Sequence, residues 1–339
     1  MKVCVVGAGA IGGLLGARLA RAGHEVSLIA RGAHLAAIRA RGLKVIGRNE
    51  EIVATDAIAT DDAGELGAHE VVLMALKSHQ IAAVIDHLPN LLGDDGVMVT
   101  LQNGVPWWYF QNLPPGAARA FAGRAVESVD PGGVLAGVID PSRILGCVAY
   151  PAAAISAPGV ITHLEGMRFP IGELDGTVSA RAERVSAMLI EGGFKSPVLD
   201  DIRAEIWLKL WGNLCFNPIS ALTHATLEAI CRFPLSRELA ATLMREAQAI
   251  AAKLGITFRV SVERRIEGAE KVGAHKTSML QDVEAGKPLE IDGMLGAVIE
   301  LADLTDTEVP ALRALYACAG LLNNTLINER IAIKGASLE

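Results

Sequence analysis

The sequence of 339 residues contains few aromatic residues, few cysteines and no long apolar run. Its five cysteines are odd in number and widely spaced, which argues against a disulfide framework and fits reduced thiols in a cytoplasmic protein. No cysteine or histidine pair has the spacing of a zinc site, so no metal is expected. No segment reaches the roughly 18 apolar residues that a transmembrane helix needs, so no membrane partner is expected.

Acidic residues outnumber basic ones, and the formal net charge at pH 7 is −7. This balance argues against general binding to nucleic acids. A hydrophobic fraction of 51% with 20% charged residues is typical of a well-packed chain, and its length favours two domains over one. One interval reverses the balance, since no Asp or Glu occurs between Glu25 and Glu50. The basic residues in that interval are Arg31, Arg39, Arg41, Lys44 and Arg48.

A glycine pattern early in the chain predicts a nucleotide site. Strands are predicted over Val3–Val6 and Val26–Ala30, with a GxGxxG turn and an amphipathic helix between them. In such a unit the glycines bring backbone N–H groups and a helix N-terminus to a pyrophosphate. The context of strand and helix makes the motif more specific than glycines alone. The residues predicted to contact the nucleotide are Gly7, Gly9, Ala10, Ile11 and Gly12.

The residue after the second predicted strand indicates which cofactor is bound. An Asp or Glu at this point accepts hydrogen bonds from the ribose of NAD, whereas an Arg accommodates the 2′-phosphate of NADP. The position holds Arg31, within the basic interval, so NADPH or NADP+ is the predicted cofactor. The alternative interpretation is that Arg31 is a solvated surface charge.

Two more predicted strands end at polar residues. Val71–Leu76 runs into Lys77, and Val97–Leu101 is followed closely by Asn103. A helix is predicted between them over Ser78–Leu92, and this alternation indicates a mostly parallel, doubly wound sheet. Ligands of such sheets bind at the carboxyl ends of the strands, where Lys77 and Asn103 fall.

The rest of the chain divides into a strand-rich part and a helical part. Residues 116–193 carry Gly and Pro turn signals and are predicted to add short strands to the first domain. The predicted fold class is an α/β Rossmann-type doubly wound domain over residues 1–197, followed by an all-α domain over residues 198–339. Six helices are predicted for the second domain: Ile202–Leu222, Ser236–Leu254, Ser261–Val272, Ser278–Glu284, Met294–Leu304 and Pro310–Leu326.

A line of polar residues crosses the first of these helices. Its members recur at every fourth position and are Asp201, Glu205, Lys209, Asn213 and Asn217. They drift only about 40° per step around the helix, whose other side chains are almost all apolar. Burying an amine and two amides without partners is costly, so the line is predicted to face a polar cleft. Glu205 and Lys209 also suit a surface ion pair without function. Asn213 and Asn217 continue the line beyond that pair, which favours ligand contact.

Ser278 and Glu290 are further candidates. Ser278 with Gln281 fits a capping box at a helix start, so a purely structural role is an equal alternative to ligand binding. Glu290 lies between Leu289 and Ile291, and it is either a loop charge or a carboxylate directed inward.

Several segments together resemble the ketopantoate reductase family, also called 2-dehydropantoate 2-reductase. They are GAGAIG with Arg31, ALKSHQ, LQNGV, the helix IWLKLWGNLCFNPISALTHAT, and SMLQD followed by PLEID. They cover nearly the whole chain in order, and the last two are far more specific than the glycine motif. The resemblance implies a Rossmann domain followed by a helical domain of the 6-phosphogluconate dehydrogenase type. It also implies NADPH-dependent reduction of a 2-keto acid, ketopantoate, to pantoate in the synthesis of pantothenate and coenzyme A.

The resemblance also assigns roles to the candidate residues. The catalytic residues it implies are Lys209, as general acid, and Glu290, as an acid near the substrate and the amine. The substrate-binding residues it implies are Asn103, Asn213, Asn217 and Ser278. The cofactor-binding residues that it adds to the glycine motif are Arg31, Lys77 and Asn103. Trp107 and Trp108, which follow LQNGV, depart from the family pattern by their bulk.

These roles fit the chemistry of 2-keto acid reduction. Hydride addition leaves a developing alkoxide, which needs a cation or an acid within hydrogen-bond reach. Lys209 is the candidate, and Glu290 is expected to keep its ammonium charged among apolar neighbours. Two other functions stay open: a related reductase for another branched or aromatic 2-keto acid, and a non-catalytic NADPH sensor. Apolar helices near the C-terminus would permit a homodimer.

Overall fold

The structure is a computed structural model and describes residues 1–335. The chain folds into two units. The first contains Met1–Gln102, Gln111–Pro114 and Gly133–Ile202. The second contains Asn103–Phe110, Pro115–Gly132 and the chain from Arg203 onward. Two segments from the first half of the sequence therefore pack with the helices of the second half.

The first unit alternates strands and helices along the described chain. Its strands are β1 (Lys2–Val6), β2 (Glu25–Ile29), β3 (Leu43–Ile46), β4 (Glu51–Ala54), β5 (Ile58–Thr60), β6 (Val71–Met74), β7 (Val97–Thr100), β8 (Ile144–Cys147), β9 (Ala152–Ala157), β10 (Val160–Glu165) and β11 (Ile171–Glu173). Its α-helices are α1 (Ala10–Arg21), α2 (Gly32–Arg41), α3 (Leu88–Leu92), α4 (Val134–Val138) and α5 (Ala180–Glu191). A 3-10 helix over Ser78–His87 precedes α3.

Seven of these strands form the main sheet, in the order β11-β8-β7-β6-β1-β2-β5. Neighbouring strands are parallel except for β8 and β11. The register pairs Val3 of β1 with Val26 on one side and with Val71 on the other. The strand order reverses between β1 and β6, and the crevice at the carboxyl ends of these two strands is where doubly wound sheets bind nucleotides.

Helix α1 packs against the main sheet and also against a second sheet, whose order is β4-β3-β10-β9. A Cβ atom at Gly16 would lie 2.5 Å from the side chain of Leu28 in the main sheet. A Cβ atom at Gly13 would lie 3.0 Å from Ile161 in the second sheet. Glycine therefore allows the close approach of this helix to both sheets.

The second unit is helical in the residues described. Its α-helices are α6 (Ile202–Thr223), α7 (Leu227–Arg232), α8 (Pro234–Lys253), α9 (Val262–Lys271), α10 (Ser278–Glu284), α11 (Ala297–Leu304) and α12 (Pro310–Glu329). A π-helical turn over Asp292–Gly296 leads directly into α11. Helix α6 is mostly buried, and the ring of its Trp211 stacks on Phe258 with 4.1 Å between the centroids.

The structure confirms the predicted fold class, an α/β Rossmann-type domain and an all-α domain. The prediction that residues 116–193 form short strands is wrong for Ala180–Glu191, which form helix α5. Ser179 caps that helix by accepting a hydrogen bond from the N–H of Ala182 at 3.1 Å. The predicted helix over Ser78–Leu92 is a 3-10 helix for most of its length. Strands β3, β4 and β5 and helix α7 were not predicted, because such short elements depend on their pairing partners more than on local pattern.

None of the helices described between residues 1 and 335 is both long and apolar enough to cross a membrane. All five cysteines are free thiols, four of them buried, while Cys318 is exposed. Burial raises the pKa of the Cys4 thiol to about 12, which makes that thiol unreactive. Leu321 and Ile327 are exposed on α12, and the homodimer stays a prediction.

Candidate active site

The three glycines of the GxGxxG turn have different surroundings. Gly7 has a φ of +97°, which favours glycine, and a Cβ atom there would lie 2.7 Å from Leu76. A Cβ atom at Gly12 would collide with the carbonyl oxygen of Gly7, so this glycine lets α1 begin close to β1. At Gly9, by contrast, a Cβ atom would meet no atom within 4 Å. Its backbone therefore borders open space, as expected for the glycine that a pyrophosphate approaches.

A cavity of about 280 Å³ adjoins this glycine loop. Its walls come from the loop, the end of β2, the start of α2, the segment after β6, and β9. The predicted residues Gly7, Gly9 and Arg31 line it. The other residues of the predicted motif form the first turn of α1: Ala10, Ile11 and Gly12.

Two helices begin at this cavity. The N-cap residues of α1 and α2 are Gly9 and Arg31, and both line it. Neither helix has a side-chain cap or an acidic residue in its first turn. The first N–H groups of a helix attract anions, because they have no acceptor within the helix and stand at the positive end of its dipole. The cavity therefore combines two helix starts that suit an anion with the basic residue Arg31.

His34 fixes the glycine loop to the second sheet. Its Nε2 donates to the carbonyl of Ala8 at 2.9 Å, and its Nδ1 accepts from the N–H of Gly159 at 3.0 Å. Gly159 lies in the turn between β9 and β10. This pair of bonds requires the neutral ring. Burial lowers the pKa of His34, partly opposed by its bond to the Ala8 carbonyl, so the neutral form is the favoured one.

Two cavity residues, His34 and Asp61, were not identified from the sequence. Asp61 follows β5, the strand beside β2, and its Oδ1 lies 3.7 Å from the guanidinium of Arg39. A carboxylate here suits ribose hydroxyls but repels a 2′-phosphate, so Asp61 and Arg31 act in opposite directions on cofactor choice. The position of Asp61 could not be inferred from the sequence, because the strand that precedes it, β5, was not predicted.

Lys77 stands after β6, where it was predicted, at the N-cap of the 3-10 helix, and it is half-buried. Its neighbour Leu76 lines the cavity. Gln102, at the end of β7, donates from Nε2 to the carbonyls of Met74 and Leu76 at 2.8 and 3.1 Å. That side chain holds the end of β6 beside the glycine loop. Contact between Lys77 and the cofactor stays a prediction.

In the second unit, the structure brings Lys209 and Asn103 together. Lys209 is half-buried in the middle of α6, and its Nζ donates to Oδ1 of Asn103 at 2.7 Å. The two residues are 106 positions apart in the sequence. An amide oxygen holds an ammonium in place without neutralising its charge. The residue predicted to be the general acid therefore has a fixed partner.

The polar line of α6 continues beyond Lys209. Asn213 is half-buried, and Asn217 is only 6% exposed. Nδ2 of Asn217 lies 3.5 Å from Oγ of Ser278 and 3.9 Å from Sδ of Met294. The structure thus brings two of the predicted substrate residues, Asn217 and Ser278, into contact.

The capping interpretation of Ser278 is wrong. Helix α10 begins at Ser278, but its N-cap is Thr277, whose hydroxyl accepts from the N–H of Leu280 at 3.3 Å. Gln281 donates back to the carbonyl of Lys276 at 3.1 Å. The helix start is therefore completed by neighbours of Ser278, whose exposed side chain is left for another role.

Glu290 lies in the segment between α10 and the π-helical turn. Its neighbours Leu289 and Ile291 are 3% and 4% exposed, whereas Glu290 itself is half-buried. The apolar neighbours anchor the segment, and the carboxylate keeps access to a polar environment. A contact between Glu290 and Lys209 stays a prediction.

Trp107 and Trp108 belong to the core of the second unit, at 2% and 1% exposure. The guanidinium of Arg203, near the start of α6, lies 5.5 Å from the centroid of the Trp108 ring. Nε of Arg203 donates to the carbonyl of Tyr109 at 2.8 Å. These contacts anchor the segment that carries Asn103, so the bulk of the two indoles serves packing.

The second unit offers an ammonium, several amides and a hydroxyl to a ligand. An ammonium held among apolar side chains stabilises an oxygen that gains negative charge, and it can donate a proton to it. Amide and hydroxyl groups donate hydrogen bonds to carboxylate and hydroxyl oxygens of a small acid. Within residues 1–335, no group of His, Cys, Asp and Glu side chains is arranged to hold a metal ion.

Comparison with known proteins matches almost the full length of the chain. The family model described as "Ketopantoate reductase PanE/ApbA" matches residues 3–176, and the model of its C-terminal part matches residues 201–323. The chain is 50% identical to the 2-dehydropantoate 2-reductase of Mesorhizobium japonicum over 318 residues, which is 94% of this chain and 96% of that protein.

Solved structures that carry the same family name superpose closely. One from Ralstonia solanacearum MolK2 has a TM-score of 0.90 at 36% identity, and the match covers 96% of this chain and 98% of that one. The 2-dehydropantoate 2-reductase from Geobacter metallireducens GS-15 has a TM-score of 0.82 at 26% identity, covering 95% and 99%.

Proposed function

Because this chain belongs to the ketopantoate reductase family of NAD(P)-dependent oxidoreductases, we propose that it reduces 2-dehydropantoate to pantoate with NADPH. The product is used to make pantothenate and coenzyme A. The observation that carries the proposal is the hydrogen bond of 2.7 Å between the Lys209 ammonium and Asn103. Lys209 lies on α6, the helix that also carries Asn213 and Asn217. Free thiols fit a cytoplasmic location.

In this mechanism Lys209 is the general acid. NADPH, when bound, would supply the hydride for the keto carbon, and the carbonyl oxygen would gain negative charge. The ammonium of Lys209 stabilises that oxygen and donates a proton to it. Asn103 orients the ammonium by accepting one of its hydrogen bonds. A proton donor of this kind is unnecessary in a sensor, which disfavours the non-catalytic alternative.

The substrate is anchored by amides and a hydroxyl. Asn213 and Asn217 lie one and two helical turns beyond Lys209 on α6, so they share its face. Ser278 lies beside Asn217 and extends the polar surface from α6 to α10. We assign these three side chains to the carboxylate and hydroxyl groups of the acid. Glu290 is assigned to the neighbourhood of the ammonium, where a carboxylate favours the charged form of an amine.

We assign the cavity of the first unit to the dinucleotide. Open space at Gly9 and two helix starts without side-chain caps suit its phosphates. Arg31, at the N-cap of α2, is assigned to the 2′-phosphate, a contact that would favour NADPH over NADH. Asp61 in the same cavity acts in the opposite direction, and Arg39 beside it weakens this effect. Lys77, after β6, is assigned to the cofactor as well.

The decisive experiment follows the loss of NADPH absorbance on adding ketopantoate. The same measurement with other branched and aromatic 2-keto acids at matched concentration, and with NADH, compares the alternatives. We expect the highest kcat/KM for ketopantoate with NADPH. A higher kcat/KM for an aromatic 2-keto acid would instead assign this chain to a different substrate, and binding of NADPH without turnover of any 2-keto acid would favour the sensor.

A further inference from the structure

The π-helical turn Asp292–Gly296 lies close in sequence to a residue assigned to catalysis. It begins two residues after Glu290, and its residues from Gly293 onward are buried. Such turns are rare, and they frequently occur at functional sites. Contacts made by this turn connect the candidate site with α12.

Toward the site, the turn holds the segment that carries Asn103. The carbonyl oxygen of Gly293 accepts from the N–H of Val105 at 2.8 Å. Gly104 has a φ of +88°, and a Cβ atom there would lie 2.5 Å from the carbonyl carbon of Gly293. The two backbones therefore touch directly. Asn103 precedes Gly104 and accepts the hydrogen bond from Lys209.

The same turn also reaches the far end of the polar line. Met294 follows Gly293, and its Sδ lies 3.9 Å from Nδ2 of Asn217. One buried turn thus contacts both the segment that fixes the ammonium and an amide assigned to the substrate.

One face of α12 contacts the turn and the residues just before it. The hydroxyl of Tyr316 donates to Oδ1 of Asp292 at 2.8 Å. Oδ1 of Asn323 accepts from the N–H of Leu289, just before the turn, at 2.9 Å. Tyr316 and Asn323 are seven residues apart, which places them on the same face of the helix. Burial and the carboxylate of Asp292 raise the pKa of Tyr316 to about 12.

We propose that Tyr316 and Asn323 form a clamp that positions Lys209 through the π-helical turn and Asn103. This inference rests on the proposed function, in which Lys209 is the proton donor. Both residues of the clamp act through others, so they are positioning residues and not catalytic ones. They fix the turn, the turn fixes the segment around Val105, and that segment fixes the partner of the ammonium.

The position of the ammonium matters because a lysine side chain is long and flexible. A displacement of about 1 Å at a reacting group can cost about 10²-fold in rate. The Asn103 oxygen sets where the ammonium lies, and the Gly293 carbonyl sets where the Asn103 segment lies. Loosening the clamp is therefore expected to lower kcat without removing any group that binds substrate or cofactor.

The test uses two clamp variants and a matched control in the full-length enzyme. Tyr316→Phe removes one hydroxyl group. Asn323→Leu removes the acceptor of the Leu289 N–H with little change in volume. Asn324→Leu is the control, because this exposed neighbour bonds only within α12 in the described contacts, to Asn328.

For each clamp variant we expect kcat to fall about three- to tenfold, the effect of one lost hydrogen bond. The Kd for NADPH should stay near the wild-type value, and KM for the keto acid should change less than kcat. Hydrogen exchange gives a readout independent of activity. Exchange of the Val105 amide should accelerate in both clamp variants and not in Asn324→Leu.

The proposal is overturned if either readout, kcat or Val105 exchange, is the same in the clamp variants as in the Asn324→Leu control. A wild-type enzyme that reduces no 2-keto acid would refute the proposed function instead. In that case the exchange measurement alone decides whether α12 holds the Val105 segment, and unchanged exchange overturns the clamp.

Discussion

Substituting Gly9 by alanine should separate cofactor binding from folding. A Cβ atom at Gly9 meets no atom of the chain within 4 Å, and the backbone is extended there, with a φ of −71°. Alanine adopts such a conformation without left-handed strain. At a compatible position, a Gly→Ala change raises the free energy of unfolding by about 0.4–1 kcal/mol, because it restricts the unfolded chain. Alanine is a poorer N-cap residue than glycine, which offsets this gain at the start of α1, so the cofactor-free variant should stay within about 1 kcal/mol of the wild-type stability.

The same methyl group would occupy the space that a bound pyrophosphate needs. Overfilling a closely packed contact costs about 1–3 kcal/mol. Converted to affinity, this cost is about a 5- to 150-fold increase in the Kd for NADPH. The expected variant is thus fully folded and deficient in cofactor binding.

Gly12→Ala is the natural comparison, since its Cβ atom would collide with the Gly7 carbonyl oxygen inside the protein. It should lower the free energy of unfolding by about 1–3 kcal/mol even without cofactor. Urea unfolding without NADPH and fluorescence titration with NADPH measure the two effects separately. An unchanged Kd for Gly9→Ala would refute the reasoning, because no ligand atom would then approach Gly9.

Three other predictions concern single side chains. Lys209→Ala should lower kcat about 10²- to 10⁴-fold and leave the Kd for NADPH largely unchanged. Steady-state kinetics measure this effect, and a wild-type kcat would show that Lys209 is not the general acid. Arg31→Asp should weaken NADPH binding far more than NADH binding in titrations; an equal loss for both would place the 2′-phosphate elsewhere. Because burial lowers the pKa of His34, the stability it contributes is complete above about pH 6.5 and is lost as the pH falls toward the lowered pKa. The decline in unfolding free energy from about pH 7 to about pH 5 should therefore be smaller in His34→Gln than in the wild type, and an equal decline would contradict this assignment.

The features that the sequence predicted correctly are those encoded locally. The glycine motif specifies a strand, a turn and a helix within twenty residues, and the spacing of Lys209, Asn213 and Asn217 follows from helix geometry alone. Periodicity also identified most of the long helices of the second unit. In each of these cases the signal lies within a few turns of chain.

The features that were missed depend on contacts between distant segments. Strand β5 has three residues and no strong sequence pattern, so only the folded sheet shows that it pairs with β2. That pairing also determines the position of Asp61, which follows β5, in the cavity. His34 was not identified from the sequence, because its partner Gly159 is 125 positions away. Likewise, nothing in the sequence of α12 shows that Tyr316 faces Asp292.

Gly104 shows how a local and a distant requirement coincide. In the sequence, the pair Asn103–Gly104 is typical of a turn, and the φ of +88° agrees with that interpretation. The structure adds that a side chain at this position would strike the backbone of Gly293. Glycine is thus required both by the local backbone conformation and by close packing against the π-helical turn. A segment far away in the sequence therefore sets the position of Asn103, and Asn103 in turn sets the position of the Lys209 ammonium. For this reason motif and spacing identified both residues but not the contact between them.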